Sequence, residues 1–170
     1  MLSELDALAL ITELVEQDRQ ATEEELARIV AHVAEAPFSS RPVRVPRRIR
    51  ERLAQAACSP VASRLPSLEL HLLERVHADK QWLVGTTAAR YLDDLHRAVQ
   101  HPAAQIWTYR HYGEPTIAFL SPSSETGGPR RLPWLFVAYR PRYGTIVTGY
   151  QVSGAETVLG KQCEKLRRQR

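Results

Sequence analysis

Arginines, tyrosines and hydroxyl side chains crowd the second half of this 170-residue chain, with a histidine among them: Thr108, Arg110, His111, Tyr112, Tyr139, Arg140, Tyr143, Thr148, Tyr150 and Ser153. Earlier, His71, Glu74, Arg75 and His77 share one short stretch. His71 and Arg75 lie four apart, and Glu74 and His77 three apart, so each pair falls on one face of a helix. These side-chain types suit transfer at a phosphodiester without a metal ion. A base or oriented hydroxyl promotes attack by a 2′-hydroxyl, arginine stabilises charge on the phosphorane, and an acid protonates the departing 5′-oxygen. Aromatic rings among cations also suit stacking of unpaired RNA bases. The sequence holds no glycine-rich phosphate loop, no His-x-x-x-His, no Cys pair at zinc spacing and no Gly-x-Ser-x-Gly. Neither a metal nor another cofactor is expected.

The elements that must position these groups read most clearly between residues 104 and 153. Four runs rich in β-branched and aromatic residues, Gln105–Tyr112, Pro115–Leu120, Pro133–Arg140 and Thr145–Val152, are bounded by turn residues. Connectors of two and four residues join only antiparallel neighbours, so the fold class is α+β with a four-stranded antiparallel meander. The apolar third strand is expected at its centre. In the last strand Ile146, Thr148 and Tyr150 alternate with Val147, Gly149 and Gln151. One side of the sheet must meet helices, and the other is open to a ligand.

Helical periodicity marks residues 3–18, with Ser3 as N-cap and Leu5, Leu8, Ile11, Leu14 and Val15 as the stripe. Thr22 opens a capping box before Leu26, Ile29, Val30 and Val33. These form an N-terminal helical hairpin, too acidic in its second helix to enter a DNA groove. A proline-punctuated linker, Pro37–Pro46, leads to a short helix from Arg47 to about Ala57. Leu65–Lys80 and Ala88–Gln100 are the next helices, the latter with Tyr91, Leu92 and Leu95 toward the core and Arg90, Asp93, Asp94 and Arg97 on its wet side. Residues 155–170 read as one more helix ending in a fraying basic tail that includes Lys161. The domain reading is therefore 1–36, an acidic hairpin; 37–64, a basic linker with a short helix; and 65–170, the α+β domain.

The formal charge of +4 hides a division. Residues 1–36 carry nine acids and two bases, a net of −7, and the remainder is +11. Six arginines fall within residues 41–52. A strip containing Arg44, Arg47, Arg48 and Arg50 either binds phosphate or pairs with the acidic hairpin. No apolar run approaches the roughly 18 residues of a membrane helix, and the acidic start lacks a signal peptide's basic region. A bacterial, cytoplasmic protein is expected, with signal-less secretion as the alternative; Cys58 and Cys163 are expected to be reduced.

From about Pro66 to Ser153 the chain resembles the ribonucleases of the barnase–EndoU–colicin–RelE fold, which supply many bacterial toxins. The likeness rests on His71-Leu-Leu-Glu-Arg75-Val-His77, Gly85-Thr-Thr-x-x-x-Tyr91-Leu, Tyr109-Arg110, the Pro133–Tyr139 strand and Gly144-Thr-Ile-Val-Thr-Gly-Tyr-Gln-Val-Ser153. It implies a metal-independent endoribonuclease in which His77 or His71 supplies acid/base function, Arg75 and Arg110 contact phosphate, and Thr148 and Tyr150 orient the substrate. Tyr109 and Arg140 join the arginine strip as RNA-binding residues. RNA, an antitoxin or immunity protein, and a second copy through residues 1–36 are the partners to consider. The competing reading is a non-catalytic module of the same fold that binds nucleic acid or protein. Clustering of His, Arg, Thr and Tyr on one face favours the nuclease. A nucleotide-dependent transferase would need a glutamate near the last strands, where Glu114, Glu125 and Glu156 are the candidates.

Overall fold

The computed structural model describes residues 4–122, 126–160 and 162–170; Ser3, Glu125, Lys161 and the Leu5 side chain lie outside the described residues. Helix α1 (Glu4–Glu16) and helix α2 (Glu23–Val33) form the hairpin, and the Thr22–Glu25 capping box closes the start of α2 in both directions. Arg19 sits at the bend and reaches Glu13 at 2.7 Å and Glu25 at 2.8 Å. The hairpin is not an appendage. Ile11, Leu14, Leu26, Ile29 and Val33 are buried in the same core as the sheet, so its apolar stripe is consumed within the chain.

The linker is more ordered than its prolines imply. Strand β1 (Pro42–Arg44) runs into helix α3 (Arg47–Ala57), and β1 pairs antiparallel with strand β2 (Arg64–Pro66). The helix expected over 65–80 is divided: β2 takes its first residues, helix α4 covers Ser67–Leu73, and a π-helical turn follows at Glu74–Ala78. Such turns insert an extra residue and re-aim the side chains they carry. Helix α5 (Ala88–Gln100) starts on the Thr87 cap and lays Tyr91, Leu95 and Val99 into the core.

Strands β3 (Gln105–His111), β4 (Glu114–Pro122), β5 (Trp134–Arg140) and β6 (Thr145–Val152) form the antiparallel meander. The sheet has five strands, however, in the order β6-β5-β4-β3-β7. Residues 155–170 form a short 3-10 turn (Ala155–Thr157) and strand β7 (Cys163–Arg168), not a helix with a loose tail. Strand β7 covers the open edge of β3 and satisfies its backbone groups. Lys165 donates to the Glu16 carbonyl at 2.7 Å, Arg167 to Asp18 at 2.9 Å, and Gln169 to Thr108 at 2.8 Å. The middle strand is β4, not the apolar β5, because β7 adds a place on the far side. Among the described residues, no helix is long and apolar enough to cross a membrane.

Two side-chain assignments are corrected by the packing. Asp94 is 1% exposed, not wet: it accepts from the indole N–H of buried Trp82 at 3.0 Å and from Arg90 at 3.2 Å. A β-bulge in β6 also breaks the expected alternation. Ala138 opposes Thr148 and Tyr139 opposes Ile146, leaving Val147 without a counterpart. Ile146, Gly149 and Gln151 therefore lie on the helix-covered side, while Val147, Thr148 and Tyr150 share the other. One extra residue changes the parity of everything beyond it.

Candidate functional site

The face away from the helices gathers polar residues at the end where the β3–β4 and β5–β6 turns meet. Tyr112 and Gly113 turn the chain with φ of 49° and 78°, the two positive values of a tight hairpin. Glu114 beside this turn pairs with Arg142 in the β5–β6 turn, so the two hairpins are tied together. Between them a cavity of about 130 Å³ is lined by Tyr109, His111, Thr116, Arg140, Thr148 and Tyr150, with Val147, Val158 and Phe136 as its apolar wall. A second groove of about 450 Å³, bordered by Arg41, Tyr143 and Thr145, shares Arg140 and Val147 with it.

Arg140 Nη2 lies 2.9 Å from His111 Nδ1. A guanidinium has only donors, so Nδ1 is the acceptor and Nε2 carries the proton of the neutral ring. Burial, and then the charge of Arg140, hold His111 below its ordinary value. Among the described residues, the buried Nε of Arg140 has no hydrogen-bond partner, and neither has the Thr145 hydroxyl at the neighbouring groove. Burial raises the phenols of Tyr109 and Tyr150, keeping both protonated, and Arg75 opposes that shift at Tyr150.

Arg75 approaches from the π-helical turn. Its Nε donates to the Gly149 carbonyl at 3.2 Å, Asp79 holds the other end, and the guanidinium sits 4.7 Å from the Tyr150 ring centroid. Tyr91 donates to that same carbonyl at 2.6 Å, and Leu95 packs where a Gly149 side chain would be. Any larger residue at Gly149 would force the Leu95 side chain to move.

The structure thus brings together Tyr109, Arg140, Thr148 and Tyr150, with Arg75 stacked behind Tyr150. It sets the other candidates elsewhere. Arg110 faces the helix side and pairs with Glu16. His77 borders an apolar groove with Leu83 and Val84. His71 packs edge-on against Phe38, ring centroids 5.4 Å apart, and its Nδ1 is 3.5 Å from Arg75. Arg44, Arg47 and Arg50 line a separate cleft of about 410 Å³, and Arg48 is exposed on the same helix. In the acidic hairpin, Glu13, Glu16, Asp18, Glu24 and Glu25 pair with Arg19, Arg28, Arg110, Lys165 and Arg167. The residues gained are Thr116, Thr145 and Arg41, and His111, named from sequence among the polar side chains of the sheet but given no role there, joins the site. Period-two alternation from Tyr109 to His111 was the available signal; Arg41 required the fold.

His71 has a testable consequence for stability. Burial, and then Arg75, push its imidazolium pKa down to about 4, against about 6.5 in an unfolded chain. Between these values the unfolded chain binds more protons. Stability is therefore full above about pH 6.5 and lost as pH falls toward 4. Urea midpoints measured across that window should decline for the parent and stay flatter for His71→Gln. Parallel curves would show that His71 titrates alike in both states.

Comparison of the chain with protein-family models, with curated proteins and with solved structures returns no match.

Proposed function

We propose that this chain is a metal-independent endoribonuclease of the barnase–EndoU–colicin–RelE kind, working on the open sheet face. The observation that carries this reading is the convergence of His111, Arg140, Thr148 and Tyr150 on one cavity, with a cation whose Nε has no partner among the described residues. An RNA phosphate entering there competes with His111 for the Arg140 guanidinium. Once Arg140 turns to the phosphate, Nδ1 of the neutral imidazole is free to take the 2′-hydroxyl proton. The 2′-oxygen bonds to phosphorus, and Arg140 stabilises the charged phosphorane. The bond to the 5′-oxygen then breaks as Tyr150 gives that oxygen its proton. Arg75 over the ring stabilises the phenolate left behind. The products are a 2′,3′-cyclic phosphate and a 5′-hydroxyl, and water returns the proton from His111 to Tyr150. Thr148 and Tyr109 orient the substrate from the walls.

The test is incubation of the purified chain with mixed-sequence RNA in excess chelator, with product ends analysed. Cyclic-phosphate ends in the presence of chelator support the mechanism. Activity abolished by chelator rejects it, and tight RNA binding without cleavage by a folded protein points to a binding module.

Arg44, Arg47, Arg48 and Arg50 are assigned to electrostatic capture of RNA. Each phosphate contact on a single strand contributes about 0.7 to the slope of log affinity against log salt. Neutralising all four should lower that slope by about 2 to 3. Equal slopes for the parent and the neutralised variant would make the strip ordinary surface.

A further inference from the structure

The groove beside the cavity has a chemistry of its own. It is built by an unusual junction: Ser39 N donates to the Ile146 carbonyl at 2.8 Å and Ile146 N to the Pro37 carbonyl at 2.9 Å. This lays the linker alongside the start of β6 and carries Ser39, Ser40 and Arg41 up to Arg140 and Thr145. About 450 Å³ of space lies within the range of small-ligand sites, about 300–1,000 Å³. Its lining holds two guanidinium groups, several hydroxyls and no carboxylate. Tyr143 is 45% exposed and lies at the rim, with the Arg142 guanidinium 5.7 Å from its ring centroid. Val43 and Val147 supply apolar surface. Among the described residues, the buried Thr145 hydroxyl and Arg140 Nε have no hydrogen-bond partner.

Cations and hydroxyls at one end suit a phosphate. A rimming aromatic ring over apolar side chains suits an unpaired base, which a paired helix would keep stacked and out of reach. We propose that this groove is a second nucleotide subsite, which takes the phosphate and unpaired base next to the scissile bond, so that the substrate class is single-stranded RNA. The inference rests on the ribonuclease reading for its direction, since Arg140 would stand between the two phosphates. In it, Arg41 and the Thr145 hydroxyl hold the adjoining phosphate and Tyr143 stacks the base.

A fluorescein-labelled, fully 2′-O-methylated hexaribonucleotide, which cannot be cleaved by 2′-oxygen attack, is the probe. Its affinity for the full chain is read by anisotropy at rising salt. Tyr143→Ala should weaken binding by about 5- to 100-fold, the range for loss of one stacked base, and Tyr143→Phe should retain it. Arg41→Ala should lower the salt slope by about 0.7, and Arg41→Lys should restore it. Melting curves that match the parent show that each variant is folded. Unchanged affinity in Tyr143→Ala together with an unchanged slope in Arg41→Ala overturns the subsite, as does Tyr143→Phe binding as weakly as alanine. A parent that binds the probe with these dependences but cuts no RNA overturns the ribonuclease reading and leaves the subsite standing.

Discussion

Replacing His111 by alanine is expected to lower the rate of RNA cleavage by about 100- to 10,000-fold, the usual contribution of one positioned acid or base. Stability should change by only about 1–2 kcal/mol, because the ring is half-buried at a strand end and gives up its hydrogen bonds to Arg140 and Gln162. The pH profile separates chemistry from damage. A protonated imidazole cannot accept the 2′-hydroxyl proton, so the parent's rate should fall as pH drops through the His111 pKa. That acid limb should lie below the ordinary histidine value, because burial and Arg140 both oppose protonation. In His111→Ala the limb should vanish. Arg140→Ala should slow cleavage by about 100- to 1,000-fold through lost charge stabilisation. It should also move the limb to higher pH, since one of the two causes holding the imidazole neutral is gone. His71→Ala and His77→Ala serve as comparisons, because neither ring lines this cavity. Activity that survives in His111→Ala, or an acid limb indifferent to Arg140, would remove His111 from the mechanism.

The contrast between Arg110 and His111 shows how far the sequence could be read. Adjacent residues of a strand point to opposite faces, so one of them had to face the helices. Which one depended on where α1 crosses the sheet, and that is decided by contacts nearly a hundred residues apart, such as Glu16 with Arg110. The runs β3 to β6 were legible because turn chemistry brackets them closely. Strand β7 was not: Cys163-Glu-Lys-Leu-Arg-Arg168 has neither an apolar alternation nor a bounding turn pair. It is a strand because β3 has a free edge and because Glu16 and Asp18 await its bases. The bulge at Val147 likewise has no sequence mark, yet it decides that Thr148 and Tyr150 face the cavity while Ile146 faces the core. Tyr109, His111, Arg140, Thr148 and Tyr150 could be named in advance as residue types. Their assembly into one cavity, and the role of His111 within it, follow from register.

Asp94→Ala is expected to be the most destabilising single change outside the apolar core. The carboxylate accepts from the indole N–H of Trp82, itself 1% exposed, and it also meets Arg90 and Arg97. Alanine leaves that buried N–H unsatisfied, opens space beside the ring, takes the counter-charge from Arg90 and leaves Arg97 with Asp93 alone. An unpaired buried donor costs about 1–3 kcal/mol, and loss of one partner from a buried pair about 3–5 kcal/mol. Because both arginines are about half exposed, the lower part of that range applies, about 3 kcal/mol. For a chain of this length each kcal/mol lowers Tm by about 2–4 °C, so a fall of about 6–12 °C should be seen. The damage should also travel, since Trp82 packs edge-on against Tyr91 at 5.0 Å and Tyr91 bonds the Gly149 carbonyl that Arg75 also uses. Asp94→Asn separates the contributions. It keeps an oxygen for the indole but gives up the charge and the second oxygen that Arg90 and Arg97 share, pairs with two half-exposed arginines worth about 0–1 kcal/mol each. Asparagine should therefore cost about 1 kcal/mol and keep the sheet face intact. Urea unfolding followed by tryptophan fluorescence measures both variants. If asparagine proves as harmful as alanine, the ion pairs rather than the indole bond hold α5 in place; if both lie within about 0.5 kcal/mol of the parent, the carboxylate is not structural at all.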